Sequence, residues 1–134
     1  MTSERKYPIF LASSNIAPAM NDINNTGPGQ DMQKISAKAF TGQQAWDALD
    51  IARIDDATVR LHWTDAPYKW HVNDGPEVFV VLDGEVDMHI RQDGAEKMLR
   101  LLPGDIFHAE NGDEHVAHPD GPTRVLVIEK AGSV

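Results

Sequence analysis

The chain has 134 residues and a mass of 14.8 kDa, a length typical of one domain. Hydrophobic residues make up 41% of it and charged residues 25%, so it is not a disordered chain. The formal net charge of -9 argues against nucleic-acid binding, because an acidic surface repels phosphate groups. There is no cysteine, which excludes disulfides, thiol nucleophiles and iron–sulfur clusters and leaves only nitrogen and oxygen ligands for a metal.

The first 31 residues lack the period of a helix or a strand and contain prolines at positions 8, 18 and 28. We interpret residues 1–31 as an irregular tail and residues 32–134 as the folded domain. The apolar run Pro8–Ala12 is too short for the core of a secretory signal, and no run reaches the about 18 apolar residues of a membrane span. The expected location is the cytoplasm, with no membrane contact.

Residues 43–49 contain helix formers, and Trp46 and Leu49 stand three apart, as on one face of a helix. Thr41 precedes this segment as a candidate capping residue. The pattern predicts one short helix that packs Trp46 against the core.

From residue 57 onward, apolar and polar residues alternate with period two, which predicts strands. Asp83-Gly84 and Asp93-Gly94 are hairpin signals between them. The continuous apolar run Val78–Leu82 is typical of a strand covered on both faces. Seven or eight short strands separated by frequent turns predict an all-β sandwich or barrel.

The residues that could act as ligands or catalytic groups fall into two clusters, one at positions 71–77 and one at positions 104–115. His71 and Asn73 are two apart and leave the same face of an extended chain. Glu77 begins the apolar run that follows, where a buried carboxylate costs free energy unless it is paired or bound to a metal. His115 follows a turn and begins a strand. Taken singly, each has a plain alternative: a hydrogen-bonded core histidine, or a glutamate at the rim of a hairpin.

As a set, the two clusters resemble the paired motifs of the cupin family over roughly residues 57–130. His71, Glu77 and Gly84 match the first motif at its intervals, and Gly104, Gly112 and His115 match the second. Four positions depart from the pattern: Asp65, Asn73, Glu110 and Pro119. Asn73 is the important departure, because it stands where the family has a second histidine ligand. The end of the chain also looks like that of small bacterial cupins described as similar to mannose-6-phosphate isomerase.

The resemblance implies a double-stranded β-helix, or jelly roll, with a divalent metal (Fe, Mn, Zn or Ni) held by His71, Glu77 and His115. Asn73 would then contact a metal-bound water or contribute its amide oxygen weakly. Candidate pocket-lining residues are Phe79, Val81 and His62. The resemblance further implies a homodimer and a small organic ligand, treated by oxygenase- or isomerase-like chemistry; the catalytic residues stay unassigned. The alternative is a metal-free barrel that binds a small molecule without catalysis.

The tail is predicted to be dispensable for folding, because it carries no periodic apolar pattern. A chain that begins at residue 32 should give the same far-UV circular dichroism and a cooperative urea transition. An insoluble or unfolded product would contradict the proposed boundary.

Overall fold

Two antiparallel sheets contain most of the regular secondary structure of the described residues. The computed structural model describes residues 31–133, so the predicted tail, apart from Asp31, lies outside the described residues. Nine strands follow one another: β1 (Asp47–Ile54), β2 (Ala57–Thr64), β3 (His71–Val72), β4 (Glu77–Asp83), β5 (Val86–Gln92), β6 (Ala95–Leu101), β7 (Ile106–Ala109), β8 (Glu114–Pro119) and β9 (Thr123–Lys130). Within these residues, no helix is long and apolar enough to cross a membrane.

After β2 the chain crosses from one sheet to the other between consecutive strands, except at the β5–β6 hairpin, as in a jelly roll. One sheet has the order β1-β2-β9-β4-β7 and the other the order β3-β8-β5-β6, and every pairing is antiparallel. The main core lies between them and includes Phe79, Val81, Val86, Met88 and Val125. The all-β jelly-roll prediction is therefore confirmed.

Strand β4 differs from its prediction in one respect. It lies between β9 and β7, and its burial alternates instead of covering both faces. Phe79 and Val81 face the core, whereas Val78 and Val80 on the outer face are half-buried and Leu82 is exposed. The continuous apolar run therefore reflects an outer face that is partly, not fully, covered.

The helix predicted over residues 43–49 is wrong. The segment forms a tight turn that leads into β1, and the helical residues are instead a short 3-10 turn at Ala37–Ala39. Trp46 adopts a left-handed backbone with φ of 65°, which a helix cannot contain. Trp46 packs into the main core, while Leu49 packs on the opposite face of the sheet beside Phe40 and Leu61.

Tertiary contacts overrule the helical propensity of this segment. The buried Asp47 carboxylate accepts hydrogen bonds from the backbone N–H groups of Gln43 (2.6 Å) and Gln44 (3.2 Å), which closes the turn. From Asp47 onward the backbone pairs with β2 along the sheet. The backbone hydrogen bonds gained by pairing with β2 outweigh a helix-propensity difference of a few tenths of a kcal/mol per residue.

The segment before the turn is tied to the barrel by Arg124 on β9. Its Nε donates to the Phe40 carbonyl (2.8 Å), and its Nη2 donates to the Thr41 hydroxyl (2.9 Å). Its Nη1 also donates to Asp83 Oδ2 (2.8 Å), within a salt bridge. Thr41 therefore serves as an acceptor for arginine and not as a helix cap.

The turn also requires a glycine at position 42, which gives a stability prediction. A Cβ at Gly42 would lie 2.7 Å from Asp47 Cβ and 2.9 Å from Trp63 Cε3. Gly42→Ala should therefore lower the free energy of unfolding by about 1–3 kcal/mol, as overpacking does. Urea denaturation followed by circular dichroism measures the change.

Gly75→Ala is the matched control, because its Cβ would meet nothing closer than Lys130 Cβ at 3.8 Å. This variant should lose no stability. Equal losses in the two variants would contradict the steric argument at Gly42.

Candidate metal centre

Three side chains from both sheets meet at one end of the barrel. His71 on β3 and His115 on β8 are direct cross-strand partners, and their ring centroids are 4.4 Å apart. Glu77 opens β4 in the other sheet, and its Oε1 lies 3.2 Å from His115 Nε2. One ligand atom of each residue lies within 4.8 Å of the other two, the only such group among residues 31–133. The fold thus brings the two sequence clusters together.

The orientation of His71 is set by the backbone. Its Nδ1 lies 3.0 Å from the carbonyl oxygen of Lys69. Because a carbonyl only accepts, Nδ1 carries the hydrogen and Nε2 carries the lone pair that a metal would use. The ring of Tyr68 packs edge-to-face against His71 at 5.4 Å and restrains the imidazole further.

The Asn73 side chain forms hydrogen bonds with two of these three residues, Glu77 and His115. Its Nδ2 donates to Glu77 Oε1 (3.2 Å) and to the Gly75 carbonyl (3.1 Å). Its Oδ1 lies 2.6 Å from His115 Nε2. Asn73 therefore points into the barrel, as the period-two relation to His71 predicts.

This contact defines how His115 is protonated without a metal. Because Asn73 Oδ1 only accepts, His115 Nε2 carries the hydrogen in this arrangement. His115 Nδ1 is buried and has no hydrogen-bond partner among the described residues. A metal at Nε2 would therefore require the other tautomer of His115, with the hydrogen on Nδ1.

A second buried carboxylate lies beside Glu77. Glu129 on β9 is its direct cross-strand partner, and both residues are at least 94% buried (exposed fractions of 3% and 6%). The pairing places two buried carboxyl groups on the same face of the sheet at this end of the barrel. The sequence analysis did not identify Glu129, although it shares the strand parity of the buried Val125 and Val127.

The cavity next to the three side chains is small and mostly aromatic. It has room for roughly one water-sized group, enough for an ion beside the three ligand atoms. The residues that line it are Trp46, Tyr68, His71, Glu77, Phe79, His115 and Ala117. Trp46 and Tyr68 contact each other edge-to-face at 5.6 Å, and the sequence analysis assigned neither residue to a pocket.

The predicted pocket residues occupy different depths. Phe79 lines the cavity, whereas Val81 lies in the core and is not among the lining residues. His62 is fully buried but does not line the cavity. Its ring centroid lies 6.0 Å from that of Trp46, which does line it.

The remaining histidines lie away from the centre. His118 is exposed and lies beside His89 on the outer side of the four-stranded sheet, with ring centroids 4.5 Å apart. His108 is also exposed, and its Nε2 lies 2.9 Å from Glu110 Oε2.

Comparison with known proteins adds structural neighbours only. No family model and no curated protein matches the sequence. A cupin-2 domain protein from Shewanella frigidimarina is 25% identical with a TM-score of 0.59, over 66% of this chain and 83% of that chain. A cupin superfamily protein from Desulfitobacterium hafniense is 15% identical with a TM-score of 0.63, over 75% and 92%. The fold is that of the cupins.

A third neighbour of the cupin barrel is an enzyme. Hydroxypropylphosphonic acid epoxidase from S. wedmorenis is 16% identical with a TM-score of 0.54. The match covers 61% of this chain and 49% of the epoxidase, so this chain spans about half of that enzyme. At this identity the similarity concerns the fold.

The donors at the barrel end fit a divalent transition metal. Two imidazoles and one carboxylate are a known set for Fe(II) and also suit Zn²⁺, Mn²⁺ and Ni²⁺. His115 and Glu77 are each only 3% exposed, so solvent competes little for them. The neighbouring carboxylate of Glu129 adds to the local negative charge.

Proposed function

We propose that this cupin barrel binds one divalent transition metal through His71, Glu77 and His115 and acts on a small organic molecule there. The observation that carries the proposal is the convergence of three ligand atoms from three strands within 4.8 Å at a mostly buried position. Glu77 is buried beside His115 and Asn73, which both contact its carboxylate. A cation there would stabilise the buried carboxylate further.

A bound metal would supply a Lewis acid or activate oxygen, with coordination positions left for substrate. The protein's own residues contribute orientation and exclude water. Lys69 holds His71 through its carbonyl oxygen, and Trp46 and Phe79 form an apolar wall. Oxygenase- or isomerase-like chemistry is consistent with this environment.

The neighbours are compatible with an enzyme of this kind. One is an epoxidase by name, and a related neighbour, HppE, was solved in its Co(II) form in complex with substrate. Because the chain spans about half of these enzymes, their activity is no more than a guide. The similarity to mannose-6-phosphate isomerase and the cytoplasmic location stay predictions.

The alternative is a binding protein without a metal. Asn73 favours it, because its amide already bonds both His115 and Glu77 and so satisfies these buried groups without an ion. A barrel of this kind would hold a small ligand and catalyse nothing. Metal content separates the two possibilities.

Metal analysis is the test of the proposed function. Protein purified without an affinity tag and reconstituted separately with Fe(II), Mn²⁺, Zn²⁺ and Ni²⁺ should hold near one ion per chain for at least one of these metals. His71→Ala and Glu77→Gln should each reduce the bound metal by about tenfold or more, because the first removes an imidazole donor and the second replaces a charged carboxylate with a neutral amide. Elemental analysis after gel filtration measures this.

His108→Ala is the matched control, since His108 is exposed and remote from the centre, and it should retain the metal. Wild-type metal content below about a tenth of an ion per chain with all four metals would favour the metal-free alternative.

We also propose that the protein is a homodimer. Strand β6 is an edge strand, and two of its apolar side chains, Met98 and Leu99, are 51% and 41% exposed. Long exposed edges with apolar side chains are covered in native proteins.

Light scattering should therefore give twice the chain mass of 14.8 kDa. The double variant Met98→Lys, Leu99→Lys should shift the mass toward the monomer, because it puts charge on this edge. A wild-type mass equal to one chain at high protein concentration would contradict the dimer.

A further inference from the structure

The position of Asn73 is fixed by both its backbone and its side chain. Its N–H donates to the Asp113 carbonyl (2.8 Å), and its own carbonyl accepts from the Gly112 N–H (2.8 Å). These two bonds join the turn after β3 to the turn before β8. The residue is 6% exposed, so neither bond competes strongly with water.

The two donor contacts of the side chain settle the orientation of the amide. Nδ2 donates to the Gly75 carbonyl and to Glu77 Oε1, and both partners only accept. A flipped amide would bring its oxygen against these two oxygens. Oδ1 must therefore face His115 Nε2, into the space shared with the other ligand atoms.

We propose that Asn73 Oδ1 is a preorganised fourth donor and that it sets the metal preference of the centre. The inference rests on the metal binding proposed above. With Asn73, the donor set has two imidazole nitrogens and two oxygens, one of them neutral. The bond from Nδ2 to Gly75 stays in place when Oδ1 turns from the imidazole toward an ion, so little side-chain freedom is lost on binding.

The chemistry of the donors gives the direction of the preference. Carboxylate and carbonyl oxygens suit Mn²⁺, whereas imidazole favours Zn²⁺, Ni²⁺ and Cu²⁺ more strongly. An amide oxygen at this position therefore lowers the affinity for Zn²⁺ relative to Mn²⁺, compared with a histidine at the same place. The centre therefore favours metals that bind oxygen ligands.

Two variants of the full chain test the role of Asn73. Asn73→His replaces the oxygen with an imidazole, and Asn73→Ala removes the donor. Calorimetric titration of the metal-free proteins with Mn²⁺ and with Zn²⁺ gives the ratio of the two affinities. Asn111→Ala is the matched control, since Asn111 is exposed in the neighbouring turn.

The expected results differ for each variant. Asn73→His should raise the Zn²⁺-to-Mn²⁺ affinity ratio by roughly tenfold or more, the size seen when groups around a metal change. Asn73→Ala should weaken Mn²⁺ binding by about tenfold. Thermal unfolding of each metal-free protein separates misfolding from loss of a donor.

Two outcomes overturn the inference, and they are distinguishable. If the wild type binds metal but all variants keep its Zn²⁺-to-Mn²⁺ ratio within about twofold, Asn73 is not a ligand and the proposed function stands. If the wild type binds neither metal while Asn73→His binds Zn²⁺, Asn73 disables the centre, and both proposals fail.

Discussion

Two hydrogen bonds between Asn73 and the Gly112–Asp113 turn hold the centre together. They link the loop after β3 to the loop before β8, and they continue the pairing in which His71 and His115 are neighbours. Because β3 has only two residues, its ladder alone gives little support. The bonds at Asn73 extend that support to the point where the chain turns toward Glu77. The positions of both imidazoles therefore depend on a residue whose side chain also contacts His115.

The wall opposite the histidines depends on a different constraint. Trp46 reaches the cavity only because its backbone is left-handed, a costly conformation for a bulky residue. The Asp47 carboxylate closes the turn around it, and Gly42 leaves space for that carboxylate. Arg124 fixes the preceding segment to β9 and β4. The backbone strain at Trp46 is thus offset by hydrogen bonds that Asp47 and Arg124 make outside the cavity.

Four of the eight buried polar or charged residues in the described part of the chain lie at the end of the barrel that carries the candidate metal centre. Glu77, Glu129, His115 and Asn73 are all at least 94% buried there, although the rest of the core is largely apolar. Without a metal, the Asn73 amide compensates part of the cost of burying them. In the proposed metal-bound form, the ligand atoms of His115, Glu77 and Asn73 would instead surround a dication. One arrangement of side chains would thus suit both states, and a neutral amide at this position is compatible with the fold.

The sequence alone determined the strands from β2 onward and the three candidate ligands. Strand parity and the Asp-Gly turns depend on local geometry, and the spacing of His71, Glu77 and His115 matches motifs that the structure brings together. Only the tertiary structure decided that residues 47–49 are a strand, because the hydrogen bonds that β2 offers outweigh helical propensity. It also decided the orientation of the Asn73 amide and the placement of Glu129 beside Glu77. Both depend on contacts between strands far apart in the chain, which no local pattern encodes.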